Sequence, residues 1–176
     1  MDQIAVAIAE VSFPDDLATI AAIDTAFVAT EMLALESAER EFRFSPRALD
    51  RPLQKSFQLD DIAQHWDASL VASLGARKVG VAFGEFEAWN RRFVVSHFYV
   101  DRQHRNRGVG TALMEAMVQR ATLLDADHLW IETNNFNIPA IAAYRRWGFE
   151  MCGLDTSLYS GTDERGEVAI FLSRSL

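Results

Sequence analysis

Two glycines beside two arginines carry the first piece of chemistry in this chain. The segment Arg105-Asn106-Arg107-Gly108-Val109-Gly110-Thr111 lies between a strand-like run, "FVVSHFYV" (93–100), and a helix-like run that begins near Gly108. Glycines at such a junction let backbone N–H groups converge on an anion at the positive end of a helix. Arg105 and Arg107 add charge. A dinucleotide fingerprint needs a third glycine where Leu113 stands, and a nucleotide P-loop needs Gly-Lys-Ser/Thr where the chain reads Gly110-Thr111-Ala112. On spacing alone the loop is either a phosphate cradle of another kind or a structural turn.

A second group of residues lies downstream: Asn137-x-x-Ala140-x-x-x-Tyr144-x-x-x-Gly148-Phe149. Together with Arg105-x-x-Gly108-x-Gly110, and in this order, it resembles the two motifs of the GNAT superfamily of acetyltransferases. The strings "AWNRR", "HR-x-x-GVG-x-ALM", "HLW-x-E", "N-x-PAI-x-AYRR-x-GF" and "CGLDT-x-LY-x-GT" are similar to the streptothricin (nourseothricin) acetyltransferases within it. "RPLQKSF" (51–57) adds a further segment. The resemblance is dense over 79–172 and looser before that.

The resemblance implies a fold, a co-substrate and roles. The fold is α+β, a mixed and mostly antiparallel sheet flanked by helices, over a single domain 1–176. The co-substrate is acetyl-coenzyme A, with no metal. Its pyrophosphate is expected on the backbone of Arg105, Asn106, Arg107, Gly108, Val109, Gly110 and Thr111. Its pantetheine arm is expected along Tyr99 and Val100, paired like an added strand. Asn137 is expected to contact that arm, or to cap a helix, or both. Tyr144 is expected as the general acid. A phenol of pKa about 10 can protonate a leaving thiolate whose thiol has a pKa near 8.5. The plainer reading of Tyr144 is a core tyrosine.

The acceptor amine must lose a proton. A lysine-type amine is neutral in only about one molecule in 2,500 at pH 7. The family places acids on the strand before the loop, where this chain has Ser96 and His97. The neighbouring strand carries Glu85 and Glu87. A hairpin with Asn90 and Arg91 at its tip pairs Glu85 with Ser96 and Glu87 with Val94. A carboxylate base has then crossed the ladder while keeping its face. Otherwise the two glutamates sit on a solvated face. His97 is the second candidate base, on the opposite face of its strand. Trp89 and Asp155 match family positions and are expected on the substrate side, or else as a turn anchor and a strand end.

The elements that must position these residues follow from pattern. "QIAVAIAEV" (3–11) reads as a strand, and Pro14 and Asp15 open an amphipathic helix with Leu17, Ile20, Ala21, Ile23 and Phe27 on one face. Residues 28–68 carry little pattern. "EFRFSPRAL" is strand-like, and Pro46 and Pro52 interrupt it. Strands are expected over 67–75, 78–88, 93–100 and 128–133, and the last two after Gly148. A helix from 108 to 124 has Val109, Leu113, Met117, Ala121 and Leu124 as its apolar stripe. A second begins with Pro139 in its first turn and ends at Gly148.

The 176 residues have a net charge of −8, which disfavours nucleic acid as a partner. It suits a cationic small molecule or peptide; the resemblance implies a resistance enzyme that acetylates the β-lysine amine of streptothricin. No apolar run reaches the ~20 residues of a membrane helix, so no membrane partner is expected. The N-terminus lacks the basic start of a signal peptide, which points to the cytoplasm. Cys152 is the one cysteine. Polyamines, aminoglycosides and protein amino groups are alternative acceptors, and a non-catalytic acyl-coenzyme A sensor is the alternative to an enzyme. A homodimer is compatible, dimers being common among relatives.

Overall fold

Val79 to Gly84 form an unbroken buried run, and the first of two units is built around it. The computed structural model describes residues 5–39, 41–59, 62, 65–161 and 166–176. One unit comprises residues 1–26, 56–130 and 175–176, the other 27–55 and 131–174.

In the first unit, β1 (Val6–Glu10), β4 (Ala68–Leu74), β5 (Arg77–Glu87) and β6 (Arg92–Val100) lie in the order β1-β4-β5-β6. Each neighbouring pair is antiparallel. One helix, α2 (Val109–Leu123), buries Val109, Leu113, Met114, Met117 and Ala121. Two glycines of β5 let it lie close. A Cβ at Gly80 would stand 3.0 Å from Leu113 Cδ1, and one at Gly84 would stand 2.5 Å from Phe93 Cε1 and 3.1 Å from Met117 Cε. A second cluster gathers Val11, Ile20, Ile23, Leu59, Val71, Val81 and Phe83, with Trp66 and Tyr99 against it.

The amphipathic run after Pro14 gives a shorter helix than its periodicity predicts. The α-helix α1 spans only Leu17–Ala21, and Phe27 already belongs to a strand. Side-chain bonding ends it. Asp24 accepts from the Ala26 N–H at 2.9 Å, the turn that Asp favours. Thr25 Oγ1 donates to the Phe57 carbonyl and accepts the Phe57 N–H.

In the second unit, β2 (Phe27–Ala38) and β3 (Glu41–Lys55) form a two-stranded antiparallel ribbon. A bulge between Ala29 and Glu31 lets Phe27 and Ala29 before it, and Met32 and Ala34 after it, all point inward. That phase change hides β2 from an alternation test. Pro46 and Pro52 do not break β3, which has one partner and an open outer edge where a missing N–H costs no ladder bond. The remaining strands, β7 (His128–Asn134), β8 (Glu150–Asp155) and β9 (Ala169–Ser175), run β7-β9-β8, and α3 covers Ile138–Arg146. Asn135, fully buried, joins the unit together. Its side chain donates to the Leu33 and Gly166 carbonyls and accepts from Val168 N–H, each at 2.9 Å. Its backbone bonds Leu33 and Val168 as well.

Candidate active site

The loop after β6 is held from within the first unit. Asp101, buried, accepts from Asp24 N–H, Gln103 N–H and His104 Nδ1. Burial alone would push its carboxyl up. The His104 contact and the two amides outweigh burial and hold it below its ordinary range. Arg105 turns back into the fold. Its Nε donates to the Val100 carbonyl at 3.1 Å and an Nη to the Thr25 carbonyl at 2.9 Å, and burial lowers its pKa. The sequence reading gave Arg105 a share of the loop's charge; the structure uses its guanidinium to pin the loop. Arg107 is exposed.

Asn106 (φ 60°) and Gly108 (φ 83°) are both left-handed, which turns the chain sharply into α2. Gly108 gives the helix no side-chain cap, and the first turn of any helix leaves N–H groups without intrahelical partners. A Cβ at Gly108 would meet nothing within 4 Å, so the space in front of the turn is open. An open, uncapped N-terminus on a helix of 15 residues fits a pyrophosphate. Val109 is buried and Gly110 half-buried behind it. Tyr99 and Val100 pair with Val81 and Gly80 on their β5 side.

The β5–β6 ladder overturns the expected pairing of the glutamates. Glu85 faces Val94 and Glu87 faces Arg92. A bulge sets in after Phe83↔His97, and the next pair is Gly84↔Val95, so Ser96 is the extra residue with no opposite number. The hairpin tip supplies the reason. Arg91 adopts φ 52°, and Glu87 is bound to Asn90 and to Arg92 Nε and Nη. The turn therefore takes residues 88–91, which moves the partners of Glu85 and Glu87 two residues from the expected ones, and the bulge takes one of them back. Glu85 and Ser96 are exposed. Trp89, at 83% exposure, stands out from the hairpin.

His97 sits among rings. Trp66 and Phe83 meet it edge-on at 5.4 and 6.0 Å, and Tyr99 lies 6.2 Å away. Its Nδ1 is buried without a hydrogen-bond partner. Burial lowers its pKa, so the ring is neutral at neutral pH.

In the second unit Asn137 caps α3, its side chain accepting the Ala140 N–H at 3.3 Å. Tyr144 is buried on that helix, its ring 5.9 Å from Trp147 and 5.8 Å from Phe149. Asp155 accepts from Ser157 N–H, Ser157 Oγ and Leu158 N–H, the geometry of a turn anchor. These bonds hold its pKa down, the Ser157 hydroxyl most of all.

Glu132 on β7 is a functional candidate that sequence reasoning missed. It is half-buried and accepts from the Tyr159 hydroxyl. Burial pushes its carboxyl above the usual range. The Tyr159 bond pulls it down, and the nearby charge of Glu167 adds to the rise. Glu167, buried, pairs with Lys55. Tyr159 and Glu167 also line a cleft of 590 Å³ with Met32, Arg47, Thr156 and Gly166. In the sequence "HLW-x-E" is a motif string, and nothing in it marks the glutamate as chemical.

The acetyltransferase (GNAT) family model matches residues 30–149. A streptothricin acetyltransferase of Streptomyces lavendulae is 35% identical over 170 residues, 91% of this chain and 90% of that protein. The chain belongs to the GNAT acetyltransferase family. As a GNAT enzyme it is an N-acetyltransferase, with acetyl-coenzyme A as co-substrate. The crystal structure of a nourseothricin acetyltransferase superposes with a TM-score of 0.87 at 36% identity, covering 97% of this chain and 98% of that one. The α+β GNAT fold read from the two motifs is therefore borne out. An Escherichia coli K12 [ribosomal protein bS18]-alanine N-acetyltransferase matches less of the chain, 31% identical over 71 residues, 40% of this chain and 48% of that protein. Among the described residues no helix is long and apolar enough to cross a membrane, and no group of metal-ligating side chains is assembled.

Proposed function

We propose that this GNAT enzyme acetylates a primary amine of streptothricin, the amine of its β-lysine arm, and so confers resistance to it. The observation that carries the acceptor is the extent of the likeness. It spans 91% of this chain for the streptothricin enzyme and 40% for the protein-terminus enzyme.

Bound acetyl-coenzyme A supplies an activated acetyl thioester. Backbone N–H groups from Arg105 to Thr111 hold its pyrophosphate, and Tyr99 and Val100 guide the arm. Glu132 takes the proton that the acceptor ammonium must lose. Its raised pKa makes it a better match for that proton than an ordinary carboxylate. It replaces Glu85, which is exposed. Tyr144 returns a proton to the departing sulfur. Its burial on α3 fixes the ring, as a positioned acid requires. Asn137 supports the start of the same helix.

Thiol release with streptothricin, spermidine and a lysine peptide, run in parallel, tests the reading. Turnover with streptothricin far above the other two is expected. Turnover confined to spermidine or the peptide would replace the acceptor, and no thiol release with any amine would favour an acyl-coenzyme A sensor.

A further inference from the structure

The chain contains only two lysines against fifteen arginines, Lys55 and Lys78. Both are tied to carboxylates, Lys78 to Asp16 and Lys55 to Glu167.

The surroundings of Lys55 are unusual for a structural ion pair. Its Nζ meets the Glu167 carboxylate, whose side chain is 2% exposed. It also lies 5.6 Å from the centre of the Phe136 ring and 5.9 Å from that of Tyr159. A buried carboxylate with two flanking aromatic faces is the chemistry that recognises an alkylammonium ion. Two of the three walls, Glu167 and Tyr159, also line the 590 Å³ cleft. Tyr159 in turn bonds Glu132.

We propose that this cage is an ammonium subsite for the acceptor, and that Lys55 is its internal stand-in. A molecule with an aminoalkyl arm like a lysine side chain enters the cleft and places its ammonium on Glu167, between Phe136 and Tyr159. Lys55, at the end of β3 and already 17% exposed, swings to water. The exchange is one cation for one cation. Glu167 is never left buried and unpaired, the costly state for such a group. The proposal rests on the acetyltransferase reading for the identity of the acceptor, but the exchange itself needs no turnover.

With two lysines, ¹⁵N-lysine labelling gives two ammonium signals, and Lys78 is the internal control. Titration of the whole protein with 1,5-diaminopentane, without acetyl-coenzyme A, is expected to shift or broaden the Lys55 signal and spare Lys78. An unchanged Lys55 signal at saturating amine overturns the proposal even if streptothricin is acetylated. A changed signal upholds it even if streptothricin is not the acceptor. Lys55→Met removes the competitor and keeps the aliphatic stem. The KM for the acceptor should fall about fivefold or more as the occupied fraction of the cage is released, with the KM for acetyl-coenzyme A unchanged. A rise in acceptor KM would mark Lys55 as structural. If Lys55→Met does not fold, the labelling result on the unaltered protein decides.

Discussion

The hydroxyl of Tyr159 donates to the carboxylate of Glu132, and this bond opposes the effect of burial on the same group. A bond to the charged form lowers a carboxyl pKa. Tyr159→Phe removes it, so the carboxyl should move further up. If Glu132 is the base, as proposed, the rate depends on its ionised form, and the acid limb of the kcat–pH profile should shift to higher pH. Glu132→Gln should lower kcat by roughly 10²- to 10⁴-fold, the usual share of a general base. Steady-state rates over a pH series check both. An acid limb that does not move in Tyr159→Phe would show that Glu132 is not the titrating group.

Tyr144 has a different proton in the proposed mechanism. Loss of its hydroxyl leaves the ring, and so the packing against Trp147 and Phe149. Tyr144→Phe should therefore fold normally and bind acetyl-coenzyme A normally. Its kcat should fall by about 10²- to 10⁴-fold while the KM for acetyl-coenzyme A changes little. A kcat within a few-fold of the parent would remove Tyr144 from the mechanism.

The chain disclosed its fold at the places where local chemistry and tertiary structure agree. Gly108 and Gly148, both left-handed, punctuate two helices whose motif residues could be read directly. The strands β4, β5 and β6 alternate or run apolar as their burial requires. The misreadings have local causes of another kind. The Asp24 turn is a local signal that the helical periodicity masks, and the Thr25–Phe57 bonds join residues far apart in sequence. The bulge in β2 shifts the phase of alternation, and the four-residue turn 88–91 moves the partners of Glu85 and Glu87. Glu132 escaped because its character comes from Tyr159 and Glu167, which only the fold brings near. A lone glutamate on a strand looks like any other.

Arg105 and Arg107 stand two residues apart and should behave differently. The Arg105 guanidinium bonds two carbonyls within the first unit, whereas Arg107 is exposed. Arg105→Met should leave the Val100 and Thr25 carbonyls short of donors and cost about 1–3 kcal/mol of stability, with a rise in the KM for acetyl-coenzyme A as the loop loosens. Arg107→Ala should change stability by no more than about 0.5 kcal/mol. Any rise it causes in that KM should shrink as salt is added, because an exposed charge is screened. Urea unfolding beside initial rates at two salt concentrations separates the two. Equal stability losses in both variants would contradict the pinning role of Arg105.

His97 should leave its mark on stability as pH falls. In the unfolded chain its imidazole takes a proton near the ordinary value of about 6.5. In the folded protein burial among Trp66, Phe83 and Tyr99 lowers that value. Between the two, the unfolded state holds more protons, so stability rises with pH. The contribution of neutral His97 is therefore fully present above the ordinary imidazole value and is lost as pH falls toward the folded value. His97→Leu keeps an apolar side chain in the cluster and removes the titration. Its stability should decline less than that of the parent between about pH 7.5 and pH 5, the interval that brackets an imidazole. Thermal or urea unfolding of both proteins across that interval gives the difference directly. Parallel declines would mean that His97 takes up its proton equally well folded and unfolded, and that the ring cluster does not exclude the charge.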